Sequence, residues 1–276
     1  MQKINYPLIL SDFDGTLLRS DERIAEDTVA IINRYVAAGG HFVLCTGRTL
    51  PSILLQVKKL RLKGLVSSYQ GSVIADIDSG KVLLDGGMDK DGAVEILRYC
   101  EQLGLHVHVY GLNDYFVNMS DEWLTLYERI SGVKGCLVTD RPLSKFVQDK
   151  EMQVKKMVVM IDPEKRQAVL ERLSERFGEK YYVTYSTSFL IEISSKQFSK
   201  ATALKFIADY YKIPQERTIA VGDSLNDLPM IEAAGKGIAV QNADPLLKNA
   251  AGEVCAFTND ENAVGTIIEK YGFTEE

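Results

Sequence analysis

The sequence predicts an α/β fold: a parallel-sheet core carrying an inserted α+β domain. Three observations lead there. Short apolar runs at Pro7–Leu10, Phe42–Cys45 and Thr218–Val221 each end in a loop of glycine with acidic or hydroxyl residues, the pattern of buried parallel strands entering tight turns. Amphipathic stretches follow them, as crossover helices between parallel strands require. From about Met88 the character changes to alternating segments and helices with a unity of their own.

Taken in order, strand 7–11 leads to a helix over 25–38, whose Thr28, Ile31, Ile32, Tyr35 and Val36 share one face and which Gly39–Gly40 ends. Strand 41–46 precedes a helix near 50–60. Leu65 to Tyr69 reads as a strand, and Gly71 begins a hairpin that turns at Asp78-Ser79-Gly80. A helix over 90–103, strand 105–110, alternation near 114–118 and 154–161, a helix over 163–177 and strands 181–185 and 189–193 make up the second unit. Lys200 opens another amphipathic helix (Ala203, Leu204, Ile207, Tyr210, Tyr211), and one more starts near Leu228 after strand 218–221. The tail Thr274-Glu275-Glu276 is expected to fray. These elements place a core at 1–85 and 188–276 and an inserted domain at 86–187, joined by two crossings.

Four loops carry the chemistry. Asp12 and Asp14 stand one residue apart beyond the first strand, ahead of Gly15 and Thr16. Ligands of open α/β sheets bind beyond the carboxyl ends of strands. Two carboxylates there repel each other and call for a proton or a hard cation, Mg²⁺ being the usual one. The first can act as a nucleophile and the second can exchange a proton with a leaving group. A solvated turn with an Asx-type hydrogen bond would use the same residues. Thr46-Gly47-Arg48 offers a hydroxyl, a close-approach backbone N–H and a planar guanidinium, all suited to phosphate, although such a tripeptide also makes an ordinary strand-to-helix turn. Lys200 sits at a helix start, an anion-friendly place. Gly222-Asp223-Ser224-Leu225-Asn226-Asp227 gathers two acids and an amide at a fourth strand end. Asp223 is placed to complete a metal site with Asp12 and Asp14, and Asp227 to support it. An N-capping loop is the plainer account of that segment alone; four such loops in this order exceed turn chemistry.

Composition sets the limits. A chain of 276 residues suffices for a core plus an inserted domain, and 46% hydrophobic with 25% charged residues is ordinary for a globular protein. A net charge of −6 and a pI near 5.3 argue against nucleic acid as a partner. Neither an apolar run of membrane-spanning length nor a signal-like start is found, so no membrane partner is expected. Cys45, Cys100, Cys136 and Cys255 lack metal or redox spacing and read as reduced cytosolic thiols. His106 and His108 share a strand face but have no third ligand nearby in sequence. Trp123 and Tyr127 have helical spacing and read as packing.

From Asp12-Phe13-Asp14-Gly15-Thr16-Leu17 through Asn242-Ala243 and Lys248, the chain resembles the haloacid dehalogenase superfamily of aspartyl-phosphate phosphatases, in its Cof-type branch. The resemblance implies a Rossmann-like core with a mobile cap inserted between the second and third motifs. It implies that Asp12 attacks phosphorus and binds Mg²⁺, and that Asp14 is general acid and then base, its main-chain carbonyl completing the metal shell. Thr46 and Gly47 would bind the phosphoryl group with the backbone of Phe13, Lys200 would neutralise it, and Asp223 would ligate Mg²⁺. Asn226 would touch phosphate, Arg48 the substrate, and Asp227 and Thr16 would support the site. The substrate implied is a small phosphorylated metabolite such as a sugar phosphate, handled in the cytoplasm by a monomer or small homo-oligomer. The chain departs from the family pattern at Gln70-Gly71-Ser72 (commonly Asn-Gly-Ala), Ser195-Lys196-Gln197 (Pro-Lys-Gly) and Lys200-Ala201 (Lys-Gly). None of these departures touches a residue needed for chemistry, so they bear on substrate preference and not on activity. Between Lys196 and Lys200, the motif lysine is taken as Lys200, which follows Ser199 and starts the helix. A phosphomutase or a non-enzymatic phospho-acceptor regulator would use the same nucleophile.

Overall fold

The computed structural model describes residues 3–274, the Ser186 side chain excepted. The chain divides into two compact units: residues up to Asp85 together with those from Phe198 onward, and Gly86–Gln197 between them. The first segment holds β1 (Leu8–Ser11), α1 (Glu26–Ala37), β2 (His41–Leu44), α2 (Leu50–Leu60), β3 (Leu65–Ser68), β4 (Val73–Asp76) and β5 (Val82–Asp85). The middle unit holds α3 (Lys90–Gln102), β6 (His106–Tyr110), β7 (Tyr115–Val117), α4 (Glu122–Ser131), β8 (Cys136–Leu137), α5 (Leu143–Lys150), β9 (Lys156–Met160), α6 (Pro163–Phe177), β10 (Tyr181–Thr187) and β11 (Leu190–Ser195). The last segment holds α7 (Lys200–Tyr211), β12 (Thr218–Gly222), α8 (Leu228–Ala233), β13 (Lys236–Ala239), α9 (Pro245–Ala250), β14 (Glu253–Val254) and α10 (Ala263–Ile267).

The discontinuous unit is built on a parallel sheet in the order β14-β13-β12-β1-β2. Its central strands are buried on both faces, which is why they read as unbroken apolar runs. Leu10 pairs with Ala220 on one side and Val43 on the other, so β1, β2 and β12 end level with one another. The loops after those three ends carry Asp12, Thr46 and Asp223. A single parallel bridge from Cys45 to Ser67 links this sheet to the antiparallel β3-β4-β5 ribbon, whose hairpin turns at Asp78–Gly80. The expected frayed end is tied down at Thr274, whose N–H donates to the Lys3 carbonyl at 2.8 Å; Glu275 and Glu276 lie outside the described residues.

The middle unit has its own sheet, β10-β11-β9-β6-β7-β8, antiparallel except where β7 meets β8. Its core is formed by Ile96, Leu97 and Cys100 of α3, Val107 and Val109 of β6, Val159 of β9, Leu173 of α6, and Ile191 and Ile193 of β11. The second boundary falls at Gln197 and not at 187. The reason is pairing: β11 lies between β9 and β10, with Ile191 opposite Val159, so it belongs to this sheet. The segment 143–150, unassigned from sequence, is a helix that buries Leu143 and Val147.

Candidate active site

Each strand end delivers its side chain through a short fixed loop. Asp12 is held at the end of β1 by its N–H, which donates to the Val221 carbonyl at 2.9 Å. Gly15 is in the left-handed region (φ 79°), and a Cβ there would stand 2.5 Å from Asp223 Oδ2. Only glycine fits both the conformation and the approach. Asn242, to which sequence reasoning gave no role, donates to the Gly15 carbonyl at 2.8 Å and accepts from the Asn259 N–H at 2.9 Å, pinning this loop from the far end of the chain. Lys200 opens α7 behind a capping box made by Ser199 and Thr202.

These loops bring three carboxylates together. Asp12, Asp223 and Asp227 each offer an oxygen within 4.8 Å of the others. Lys200, fully buried, donates to Asp12 and, at 2.5 Å, to Asp227 Oδ1. Asp227 Oδ2 accepts the N–H groups of Asp223 and Ser224, both at 3.0 Å, and Thr16 donates to Asp223 Oδ1 at 2.7 Å. Burial, reinforced by the Asp227 and Asp223 charges, pushes the Asp12 carboxyl well above the usual carboxylate range against the pull of Lys200. Burial likewise raises Asp223. Burial opposes the Lys200 charge, yet the Asp12 and Asp227 carboxylates outweigh it and hold the ammonium above the ordinary lysine value. Both directions have one origin: three carboxylates face one ammonium in a dry site.

Such a site fits a divalent cation. The Asp12 and Asp223 carboxylates offer oxygens within 4.8 Å of each other, an approach of two anions that a proton or a cation between them stabilises. The donors are hard oxygens. Cys45 is buried nearby, with its thiol pushed up to about 11 by burial, so it stays protonated and is no competing soft ligand.

The other expected residues are distributed as follows. Thr46 is buried, its hydroxyl accepting the Arg48 N–H at 3.2 Å, and Gly47 follows in the same loop. Phe13 is buried with its ring 4.7 Å beneath the Arg48 guanidinium. Arg48 grips Asp14 in a fork, Nε to Oδ2 at 2.9 Å and an Nη to Oδ1 at 2.6 Å. The Asp14 carboxylate thus turns away from the cluster, where Asp227 stands instead, and its side chain is half exposed. Asn226 is exposed and donates to Gln70 Oε1 at 3.2 Å. Lys196 lies in the middle unit and donates to the Gly178 carbonyl there, whereas Lys200 reaches Asp12.

In the middle unit His106 and His108 are buried with their Nε2 atoms 2.8 Å apart, and His106 Nδ1 meets Asp121 Oδ2 at 2.9 Å. Among the described residues they form no group of three metal-ligating side chains. Trp123 stacks on Phe189 at 6.3 Å, and Tyr127 packs against His108 and Tyr115. Among the described residues no helix is long and apolar enough to cross a membrane.

The haloacid dehalogenase-like hydrolase profile matches residues 9–268. The phosphatase YwpJ of Bacillus subtilis is 30% identical, with 95% of this chain and 98% of that protein covered. The 5-amino-6-(5-phospho-D-ribitylamino)uracil phosphatase YitU of the same organism is 28% identical over 96% of this chain and 97% of its own length. The crystal structure of TM0651 from Thermotoga maritima superposes with a TM-score of 0.87 at 28% identity, covering 98% of each chain.

Proposed function

The chain belongs to the haloacid dehalogenase-like hydrolase family, of the Cof type, and from that premise we propose that it is a Mg²⁺-dependent phosphatase of small phosphorylated metabolites, sugar phosphates among them. The observation that carries the reading is the buried cluster in which Lys200 joins Asp12 and Asp227 beside Asp223. The relatives YwpJ and YitU are phosphatases, and the second is named for a substrate phosphorylated on a ribityl chain.

In this reading Asp12 attacks phosphorus in line, and the ester P–O bond breaks as Asp14, protonated, gives its proton to the leaving oxygen. Asp14, now ionised, takes a proton from the water that hydrolyses the aspartyl-phosphate, which regenerates Asp12 and releases phosphate. Because Arg48 holds both Asp14 oxygens, the proton transfers require that pair to open. Lys200, the Thr46 hydroxyl and the backbone N–H groups of Phe13 and Gly47 offset charge on the equatorial oxygens, where most of the catalysis in phosphoryl transfer resides. Mg²⁺, held by Asp12, Asp223 and the Asp14 carbonyl, would neutralise charge on the phosphoryl group when bound. Asp227, satisfied by Lys200 and two N–H groups, orients that set. Asn226 contacts phosphate. The inserted unit selects the leaving group.

Removal of divalent metal by EDTA should abolish hydrolysis of p-nitrophenyl phosphate, and Mg²⁺ should restore it. Full activity in metal-free buffer would reject the assignment. Stoichiometric release of inorganic phosphate from a single sugar phosphate separates a phosphatase from a phosphomutase, and a phosphoenzyme stable for hours would point to a regulator.

A further inference from the structure

The turn Tyr69-Gln70-Gly71 follows β3, and all three of its residues are left-handed, with φ of 50°, 56° and 95°. Two of the three are not glycine, and such residues persist there only when their surroundings over-determine them, a condition concentrated at functional sites. The surroundings are explicit. The Tyr69 and Gln70 N–H groups donate to the Arg48 and Thr46 carbonyls, both at 3.0 Å. On the other side a Cβ on Gly71 would stand 2.2 Å from the Ser199 carbonyl, one residue before Lys200. The backbone of this turn is therefore clamped between the second and third motif loops.

The side chain reaches the fourth. Ser224 donates to Asn226 Oδ1 at 2.5 Å, and Asn226 Nδ2 donates to Gln70 Oε1 at 3.2 Å. In that relay the Asn226 oxygen faces Ser224 and the Gln70 oxygen faces Asn226. With its oxygen committed to Asn226, Gln70 lays its NH₂ against Gly47, where an added Cβ would lie 2.4 Å from Nε2. A two-proton donor thus joins the hydroxyl and N–H donors of Thr46-Gly47 on the loop suited to an anion.

Resting on the phosphatase reading, we propose that Gln70 is a substrate-positioning residue: its amide couples the Thr46–Arg48 loop to Asn226 and adds a donor for the phosphoryl oxygens of the ester. The departure from the family pattern at this position is then a working part of the site, one methylene longer than the common asparagine.

Three variants and two ligands test it, p-nitrophenyl phosphate for KM and kcat and inorganic phosphate for competitive inhibition. Gln70→Gly removes the amide and suits the left-handed backbone, so Tm should be no lower than the parent's while KM and the phosphate Ki rise roughly tenfold, as for a lost hydrogen bond to a charged group. Gln70→Glu keeps the acceptor for Asn226 but presents an anion, and should raise both by more than Gln70→Gly does. Gln70→Asn, an amide tolerated in this conformation, should recover most of the loss. KM and Ki within twofold of the parent in both Gln70→Gly and Gln70→Glu would overturn the proposal, as would losses that track Tm across all three variants. Thermal stabilisation by inorganic phosphate, measured on the same proteins, is independent of turnover. Should the parent hydrolyse no ester, the phosphatase reading fails by itself, and that phosphate-induced shift still decides the role of Gln70: its loss in the Glu variant supports the role, and its retention in both variants refutes it.

Discussion

Asp12 and Lys200 form a pair whose two members should behave oppositely when replaced. The cluster holds more negative than positive charge, and burial raises the Asp12 carboxyl. Asp12→Asn removes the nucleophile and one buried charge while leaving the Lys200–Asp227 pair, so hydrolysis should vanish and Tm should hold or rise by a few degrees. Wild-type turnover in that variant would mean the nucleophile lies elsewhere. Lys200→Met strands carboxylates without their ammonium and should cost about 3–5 kcal/mol, as breaking buried pairs does; denaturant unfolding would measure it. Asp14→Asn should slow turnover by roughly 10²–10⁴-fold with little change in stability, since its side chain is half exposed. Single residues are also where the sequence is least legible. Asp12, Lys200 and Asp223 are found because chemistry restricts the residue type at a strand end or a helix start. The Arg48 fork on Asp14 is not, because pairing depends on rotamers, and the Gln70 bond to Asn226 joins segments that no periodicity relates.

At the scale of elements, β6 shows what one buried strand implies for pH dependence. His108 is fully buried on it, facing His106, Tyr115 and Tyr127. Burial, aided by the neighbouring His106, lowers its pKa from the ordinary 6.5 to about 3. The unfolded chain therefore takes up a proton near pH 6.5 that the folded strand refuses. Above that pH the group is neutral in both states and has no effect; below it, stability falls by about 1.4 kcal/mol per pH unit until about pH 3. His108→Phe should remove that share of the acid slope, measured as the difference between unfolding free energies at pH 7.5 and 5. An unchanged slope would mean that His108 is protonated in the folded protein. Elements themselves are mostly legible: β1, β2 and β12 because strands buried on both faces are apolar throughout, α1 because its apolar residues keep a 3.6-residue period. The boundary at 187 is misplaced because β11 reads as a strand in either unit, and only its long-range pairing with β9 assigns it. Helix α5 escapes notice because eight residues with three charges give too short a stripe.

At the scale of the whole molecule, two compact units whose sheets share no strand should unfold as separable transitions. The three carboxylates all lie in the discontinuous unit, so Mg²⁺ should move one transition and leave the other in place. At a hundredfold excess over Kd the gain is about 2.7 kcal/mol. Scanning calorimetry with and without Mg²⁺ makes the comparison, and a single transition that shifts as one would show that the units unfold together. The same architecture sets the order in which a ribosome can complete the protein. Strand β1 needs β12 on one side and β2 on the other, yet the whole middle unit is translated between them. At 5–20 residues per second β1 waits on the order of ten seconds with one edge open, while the contiguous unit emerges and can fold on its own. A nascent chain of this kind exposes a flat apolar strand edge, the feature most prone to pair with another chain. Slower growth temperature or a trigger chaperone should therefore improve recovery by protecting residues 8–11 until Thr218 arrives, and not by acting on the insertion.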